Sequence, residues 1–407
     1  ASNNICGWLQ FKKTLFFQNF QYITVYGLFG TIINFLVVWG LTYLINKAGL
    51  IRNFDLENPI QYLNTKAILL FSATICATDS VSALAMISPS KYPKLFSIIF
   101  GEGMVNDSVS IILYTAVFEM VKDPKKEIEF NFLKFLEMFG QFIKNAVLSI
   151  LMGLAFGLFV TYLTKKVRVF EQLPKLETAI IFSFGFLSYL LSEICQLSGV
   201  ITILVCGITM SHYLMYNISE KAKTTTKVVF DTISQICEAV LYIALGVVCF
   251  QFNGNDFKQK WSWSFILLEI IVCFLSRFFS IFILSWLFIG YYQFRNKKCR
   301  INVYEISIIW FAGVIRGAIA FALILKVPLE NDSDYSTYIV QSTTFAIVII
   351  TTIILGGIMP SFVHLVLKKM QVNPQFVDNN SIQESLAQGE PYQDRQYKSY
   401  SQKKWKT

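Results

Sequence analysis

The polar and apolar residues of this chain occur in blocks: apolar runs of about twenty residues are separated by short polar segments. An apolar run of about twenty residues is long enough to cross the hydrocarbon core of a bilayer as a helix. The pattern therefore predicts an all-α polytopic membrane protein, with a membrane domain over residues 1–371 and a polar tail over 372–407. The ten predicted transmembrane helices cover residues 22–45, 63–87, 95–120, 142–163, 177–194, 198–215, 227–251, 263–294, 305–326 and 338–365.

The composition supports this class. Of the 407 residues, 54% are hydrophobic and 15% are charged, and the mean hydropathy is +0.52, which is too apolar for a soluble domain of this size. The net charge of +9 could indicate a nucleic-acid partner. However, the lysines and arginines lie in short clusters between apolar runs and in the tail, which is typical of charge that flanks a membrane. We therefore predict contact with lipid and none with nucleic acid.

The loop charges predict the orientation of the helices. Basic clusters, such as those at 165–168 and 295–300, lie on one side, and acidic or mixed loops, such as those at 127–129 and 330–334, lie on the other. Positive charge favours the cytoplasmic side of a membrane. The tail is therefore predicted on the cytoplasmic side, or on the matrix side in a mitochondrion.

One apolar run, residues 95–120, carries three polar groups that packing does not explain: Glu102, Asn106 and Asp107. A carboxylate at membrane depth costs at least a few kcal/mol unless something compensates it. On a helix, Glu102 and Asn106 share a face, and Asp107 lies one step around. These residues are the first candidates for a functional site.

Two further runs carry a charge close to mid-span. The first contains Thr78-Asp79-Ser80, and the second contains Arg316 between glycines, in the sequence Gly313-Val314-Ile315-Arg316-Gly317. A helix that contains such residues can be interrupted within the membrane, and an interruption exposes two half-helix ends at the membrane midplane. Asp79 would offset the positive N-terminal ends, and Arg316 the negative C-terminal ends. The alternative is two unbroken helices joined by a buried Asp79–Arg316 pair.

Three other ionisable residues lie within the predicted spans: Glu238, Glu269 and Arg277. Arg277 needs an anionic partner, and Glu102 is the first choice. Glu269 lies nearer a helix end and is expected to reach water. For Glu238, a functional and a structural role are equally open.

Chemistry other than ion binding has little support in the sequence. None of the eight cysteines forms a C-x-x-C pair, and most lie in apolar runs, so we interpret them as small hydrophobic residues rather than a zinc or disulfide framework. No serine or cysteine has a plausible base nearby in the pattern. An enzyme is therefore not predicted, and no cofactor is expected.

Together, these motifs resemble the sodium(potassium)/proton exchangers of the cation–proton antiporter superfamily, and most closely their vacuolar and endosomal branch. The resemblance spans about residues 8 to 365. The segments that carry it are Ala77-Thr78-Asp79-Ser80-Val81, Phe100-Gly101-Glu102-Gly103-Met104-Val105-Asn106-Asp107, Ser198-Gly199-Val200, Cys206-Gly207-Ile208-Thr209-Met210-Ser211-His212-Tyr213 and Arg316-Gly317-Ala318-Ile319-Ala320-Phe321.

The resemblance implies an antiporter fold with two inverted repeats and two crossing broken helices. It implies a mobile core, here residues 22–120 and 263–365, and a dimerising scaffold, of which 142–251 is a part. Family members usually have about three more scaffold helices before the segment that matches 11–20, and these are expected to be missing here. A homodimer, or other membrane subunits in place of those helices, is therefore expected. An endosomal, vacuolar or other intracellular membrane is expected ahead of the plasma or mitochondrial membrane.

The resemblance also implies a mechanism. Asp107 would bind a proton and a cation in turn, because the two compete for one carboxylate. Asn106, Thr78 and Glu102 would complete the site, and hard oxygen ligands such as those of Asp107 and Thr78 suit Na⁺ or K⁺. With Glu102 tied to Arg277, either ligand balances the charge of Asp107, so one cation would exchange for one proton without net charge movement.

Two other functions remain open on the sequence. The chain could be a transport-inactive structural subunit derived from an exchanger, or it could be a cation channel, which broken helices disfavour. Cation-dependent proton flux in liposomes separates the three: an exchanger couples the two fluxes, a channel conducts without coupling, and a structural subunit does neither.

Overall fold

The computed structural model describes residues 18–52, 62–80, 83–84, 87, 92–121, 132–166, 173–251, 261–295, 302–327 and 335–372. The regular elements in these ranges are helices. They are α1 (Phe20–Lys47), α2 (Thr65–Ile75), α3 (Pro93–Val121), α4 (Phe132–Lys166), α5 (Pro174–Ile194), α6 (Gly199–Tyr213), α7 (Glu220–Gln251), α8 (Trp263–Phe294), α9 (Val303–Ala312), α10 (Ala318–Leu325) and α11 (Tyr335–Val372).

Each of the ten predicted apolar runs overlaps at least one of these helices, so the all-helical prediction is confirmed. Seven helices within the described residues are long and apolar enough to cross a membrane. The apolar helices α2, α6 and α9 are shorter. The chain is therefore a multi-pass membrane protein. The predicted polar tail, 372–407, lies outside the described residues except for its first position.

Two of the predicted spans are interrupted helices. Helix α2 ends at Ile75, and residues 77–80 are not helical; helix α9 ends at Ala312, and α10 begins only at Ala318. At 1.5 Å per residue, α2 and α9 are each about 15 Å long, half the thickness of a hydrocarbon core. The interruptions lie where the sequence predicted them, and the alternative of two unbroken helices is excluded.

Local sequence explains where these half-helices start. The Asn64 side chain accepts a hydrogen bond from Lys66 N at 3.2 Å and so caps α2. Helix α9 begins with a capping box, in which Asn302 and Glu305 satisfy each other's backbone N–H groups. Caps of this kind satisfy N–H groups that have no partner inside the helix. The outer ends of both half-helices are therefore defined by the sequence itself.

The helices pack in two groups. Helices α1, α2, α3 and α8–α11 surround two apolar cores, the first of which also includes Leu245 of α7, while α4, α5, α6 and α7 surround a third. A small fourth core joins the two groups, between α3 on one side and α4 and α6 on the other. The Gly153-x-x-x-Gly157 motif brings α4 against α6: a Cβ added at Gly153 would lie 2.6 Å from Thr202 O. Small residues at that spacing permit close approach of helices in membranes. The grouping follows the predicted division into core and scaffold, which remains a prediction.

One residue differs from the sequence expectation. Glu269 was expected to reach water near a helix end, yet its side chain is 0% exposed. The reason is that α8 packs along α1, which covers this face of α8.

Two smaller points concern Glu238 and the cysteines. Glu238 lies on α7, but its side chain is outside the described residues. Cys76, Cys206 and Cys273 are buried as expected, whereas Cys195 and Cys237 are exposed.

Candidate ion-binding site

The α2 interruption packs against α3 through a small residue and an amide. A Cβ added at Gly103 would collide with the Ser80 hydroxyl, so glycine is needed for this close approach. One turn along α3, Asn106 Oδ1 accepts a hydrogen bond from Thr78 N at 3.1 Å, and Asn106 Nδ2 donates to Thr31 Oγ1 at 2.8 Å. Asn106 is 0% exposed. It therefore ties the unwound backbone at Thr78 to α1 and α3.

The two interruptions meet each other directly. Asp79 N donates to Ile315 O at 2.8 Å, which joins the non-helical segment after α2 to the one between α9 and α10. The Asp79 carboxylate lies against Gly317, the N-cap of α10, where an added Cβ would be 2.7 Å from Asp79 Oδ2. A negative charge there offsets the positive end of the helix dipole. Asp79 therefore lies at a half-helix N-terminus, as the sequence predicted.

Arg316 lies at the opposite kind of end. Its Nη1 donates to Cys76 O and to Ala77 O, at 3.4 Å each, and these carbonyls follow the C-terminus of α2. Carbonyls at a helix C-terminus lack partners within the helix and carry partial negative charge. The buried guanidinium thus stabilises unwound backbone that would be costly at membrane depth.

Glu102 and Arg277 form a fully buried ion pair beside these segments. Arg277 Nη2 donates to Glu102 Oε1 at 2.5 Å, and both side chains are 0% exposed. The guanidinium lies directly on Gly313, where an added Cβ would collide with it. The pair predicted from the sequence is therefore present, and it links α3, α8 and the end of α9.

Three oxygens near this arrangement are buried and have no hydrogen-bond partner among the described residues: Thr78 Oγ1, Glu102 Oε2 and Asp107 Oδ1. The Asp107 side chain as a whole keeps some exposure. Glu102 and Asp79 are close enough to repel a negative charge on Asp107. A buried oxygen without a partner is costly, so these atoms are available for a proton or a cation.

The structure thus brings seven of the eight predicted site residues around the crossing interruptions, and α7, which carries Glu238, is not among the elements that form these contacts.

Sequence reasoning missed three threonines. Thr31 accepts the hydrogen bond from Asn106 and donates to Gly27 O. A threonine in an apolar helix carries no signal that distinguishes it from one bonded within its own turn.

The other two missed residues, Thr351 and Thr352, hold the backbone of Arg316 from both sides. Arg316 N donates to Thr351 Oγ1 at 3.1 Å, and Thr352 Oγ1 donates to Arg316 O at 3.0 Å. Both threonines lie in a π-helical turn of α11, Thr351–Leu355. The sequence gives no signal for this role, because two adjacent threonines in an apolar helix do not predict a π-turn.

The chemistry of the donor set fits a hard monovalent cation. The available atoms are carboxylate and hydroxyl oxygens, which suit alkali cations rather than soft transition metals. Within the described residues, there is no group of three or more His, Cys, Asp or Glu residues that could hold a metal ion. The arrangement places one carboxylate oxygen without a partner beside the interruptions of two helices, which is the chemistry that a cation or proton site requires.

Comparison with known proteins agrees with this geometry. Residues 9–368 match the family model described as "Sodium/hydrogen exchanger, transmembrane". Sodium/hydrogen exchanger 1 of Oryza sativa subsp. japonica is 32% identical over 367 residues, which cover 88% of this chain and 65% of that protein. Sodium/hydrogen exchanger 8 of Mus musculus is 31% identical over 355 residues, which cover 87% of this chain and 58% of that protein.

A solved structure shows the fold. The sodium proton antiporter MjNhaP1 from Methanocaldococcus jannaschii superposes with a TM-score of 0.59 at 16% identity, and the match covers 88% of this chain and 82% of that one. The predicted antiporter fold is thereby confirmed, while its division into inverted repeats remains a prediction. The chain spans about two thirds, or less, of the length of the two curated relatives. Its family membership rests on the match over residues 9–368: the chain belongs to the sodium/hydrogen exchanger family.

Proposed function

We propose that this chain exchanges Na⁺ or K⁺ for H⁺ across a membrane, with Asp107 binding the cation and the proton in turn. The observation that carries the proposal is the Asp107 carboxylate, which has a buried oxygen without a partner beside the crossing interruptions. Thr78 Oγ1 supplies a second such oxygen. The names of the relatives, sodium/hydrogen exchangers, support Na⁺ and H⁺ as substrates.

The Glu102–Arg277 pair supports a one-for-one exchange. Because Arg277 neutralises Glu102, Asp107 is left to be balanced by one bound charge, either a proton or a monovalent cation. Glu102 Oε2 remains available as a further ligand. One positive charge then crosses the membrane in each direction during a cycle, so the exchange is electroneutral.

The two interruptions support alternating access. Asn106 and Arg316 hold the unwound backbone in place, so the core can move as a unit against α4–α7 while the site stays intact. We propose that the core comprises 22–120 and 263–365 and that 142–251 forms part of the scaffold. We further propose a homodimer, or a complex with other membrane subunits, in an endosomal, vacuolar or other intracellular membrane.

Reconstitution tests the proposal. The purified chain in proteoliposomes with an internal pH dye should release protons when Na⁺ or K⁺ is added outside, without a change in membrane potential. Asp107→Asn should abolish this flux, because an amide neither binds the proton nor compensates the cation. Glu119→Gln, the same chemical change at an exposed position of α3, should retain it.

The other functions give different results in the same assay. Conduction that follows the membrane potential and does not couple to protons would indicate a channel. No flux from folded wild-type protein would indicate the structural-subunit function. Coupled, pH-dependent exchange by the Asp107→Asn variant would remove Asp107 from the mechanism.

A further inference from the structure

Glu269 is a second buried carboxylate, remote in sequence from the proposed ion site. It is the seventh residue of α8, about 9 Å from the helix start at 1.5 Å per residue, and it is 0% exposed. Within the described residues, neither of its carboxylate oxygens has a partner at ordinary hydrogen-bond geometry. An ionised carboxylate in such surroundings is costly unless something neutralises it.

The side chain that faces Glu269 is Thr42 of α1. Thr42 is also 0% exposed, and its hydroxyl has no partner at ordinary hydrogen-bond geometry among the described residues. Two unsatisfied polar groups thus face each other where α1 packs on α8. The hydroxyl can donate to a carboxylate or accept from a carboxylic acid.

Among the described residues, no charged side chain forms a hydrogen bond with Glu269 at ordinary geometry. The titratable groups on the packed elements are exposed or partly exposed, or have partners. The exposed or partly exposed ones are Tyr43 and Lys47 of α1, Lys66 of α2, Tyr304 of α9, and Tyr338, His364, Lys368 and Lys369 of α11. Of the others, Tyr22 packs on Phe288, Tyr26 is bonded to Ser285, and Glu305 is paired with Lys94. The buried polar side chains of α11 are uncharged: Gln341, Ser342, Thr343 and Thr344.

Each of the two buried arginines has one guanidinium nitrogen engaged elsewhere, while the other two nitrogens of each have no partner at ordinary hydrogen-bond geometry among the described residues. Arg277, two turns along α8, pairs with Glu102, and Arg316 donates to the end of α2. Cys273, one turn from Glu269, lies within the electrostatic reach of both Glu269 and Arg316. Cys273 is thus a common neighbour of Glu269 and Arg316, and no ion pair joins these two residues.

We propose that Glu269 and Thr42 form a second proton-binding site of the core, separate from Asp107. The carboxylate accepts a proton from hydronium to give a carboxylic acid and water, and returns it the same way. A proton fits better than a cation, because a cation would need further oxygen ligands, and Thr42 is the hydroxyl that faces the carboxylate. The part played in transport rests on the proposed exchange at Asp107.

The geometry also indicates where the proton enters. The segment after α1 is bonded to the start of α8: Arg52 N donates to Ser264 Oγ at 2.8 Å, and Ser262 Oγ donates to Arg52 O at 3.1 Å. Glu269 is buried less than two turns along α8 from this junction, so the proposal places proton exchange with water on that side of the membrane. Because Cys273 neighbours both residues, we expect ionisation of Glu269 to be felt at Arg316 and exchange to depend on two proton-binding steps.

Infrared spectroscopy of the purified full chain in lipid tests the proton site without requiring transport. Difference spectra between low and high pH should contain the carbonyl band of a protonated carboxylic acid that is absent from Glu269→Gln and retained in Asp107→Asn. The matched control is Glu177→Gln, because Glu177 is buried but accepts from Ser219 Oγ at 2.7 Å. An unchanged set of bands in Glu269→Gln would overturn the proposal.

Proteoliposome exchange tests the part played in transport. The wild-type pH profile should contain two titration steps, Glu269→Gln should lose one of them, and Glu177→Gln should keep both. Thr42→Val should shift the midpoint of the same step that Glu269→Gln removes. Two unchanged steps in a folded Glu269→Gln variant would exclude the transport role. If that variant does not fold, the Thr42→Val profile decides in the same way. Wild-type protein without exchange would contradict the proposed function, while the infrared result would still decide on the proton site.

Discussion

At the scale of single residues, Asn106 and Asp107 show how neighbours on one helix take different roles. Asn106 is fully buried, and both atoms of its amide are hydrogen-bonded, to Thr78 and Thr31. Asp107 is rotated by about 100° around the helix axis, and its Oδ1 has no partner among the described residues. The first residue is therefore suited to hold the interruption in place, and the second to bind an ion.

The Glu102–Arg277 pair leads to a prediction at this scale. Glu102→Gln or Arg277→Gln alone should lower the free energy of unfolding by about 3–5 kcal/mol, because each leaves a buried charge without its partner. The double variant should cost less than the sum of the two. Denaturant unfolding in detergent measures all three.

The control for this prediction is the exposed pair Glu220–Lys223, whose atoms are 2.8 Å apart. Because exposed ion pairs contribute about 0–1 kcal/mol, Glu220→Gln should have little effect on unfolding. Single variants of Glu102 and Arg277 that are as stable as the wild type would show that the pair does not neutralise either residue.

At the scale of elements, two helices carry a π-turn next to the site. In α1 the turn is Val25–Phe29, and the next residue, Gly30, accepts a hydrogen bond from Ser280 Oγ at 2.7 Å. In α11 it is Thr351–Leu355, which contains both threonines that hold Arg316. Insertions of this kind are frequent at functional sites. Here the α11 turn places consecutive hydroxyls on one neighbouring backbone.

We expect the double variant Thr351→Val, Thr352→Val to slow exchange by a larger factor than the loss of folded protein accounts for. It removes the acceptor for Arg316 N and the donor to Arg316 O, and each unsatisfied buried group costs about 1–3 kcal/mol. The loss acts on Arg316 and therefore on the interruption after α2. Exchange rate and thermal unfolding are measured on the same preparation.

Thr232→Val provides the comparison for this variant. Thr232 is exposed on α7 and bonds only within its own helix, to Val228 O at 2.8 Å. It should leave both exchange and stability near the wild-type values. Equal exchange rates for the double variant and the Thr232→Val control would exclude a positioning role for the α11 turn.

At the scale of the whole molecule, the proposed site joins elements from both ends of the chain. It draws on α1, α2 and α3 near the start of the chain and on α8 to α11 near its end, while α4 to α7 contact this part mainly through α3 and α10. A ligand bound to Thr78, Glu102 and Asp107 contacts α3 and the segment after α2, which the other elements hold in place. Its binding should therefore stabilise the entire fold.

Addition of Na⁺ or K⁺ should accordingly raise the temperature of thermal unfolding in detergent. A ligand that binds only the folded state stabilises it by about 2.7 kcal/mol at one hundred times its dissociation constant. Choline at the same ionic strength should have no such effect, and the Asp107→Asn variant should not respond to either cation. The cation with the larger effect is the preferred substrate. An identical shift in Asp107→Asn would place the bound cation elsewhere.

The sequence alone determined the helices and most of the charged site. Hydrophobic run length is a local property, so the presence of a helix in each of the ten predicted runs followed from it. The cost of a charge at membrane depth is also independent of its neighbours, so Asp79, Glu102, Asp107, Arg277 and Arg316 stood out before any contact was known. The interruptions followed from glycine, serine and threonine next to two of those charges.

The tertiary structure alone decided which uncharged residues are hydrogen-bonded to the site and that the Glu269 carboxylate is buried. Thr351 and Thr352 are hydrogen-bonded to Arg316, from which they are 35 and 36 residues away in the chain. The free-energy cost of a hydroxyl in an apolar helix is too small for the sequence to single such a residue out. Glu269 was misjudged because its distance from a helix end says nothing about α1, which covers it. Burial and hydrogen bonding depend on which helices meet, and that is a property of the packed molecule rather than of any one segment.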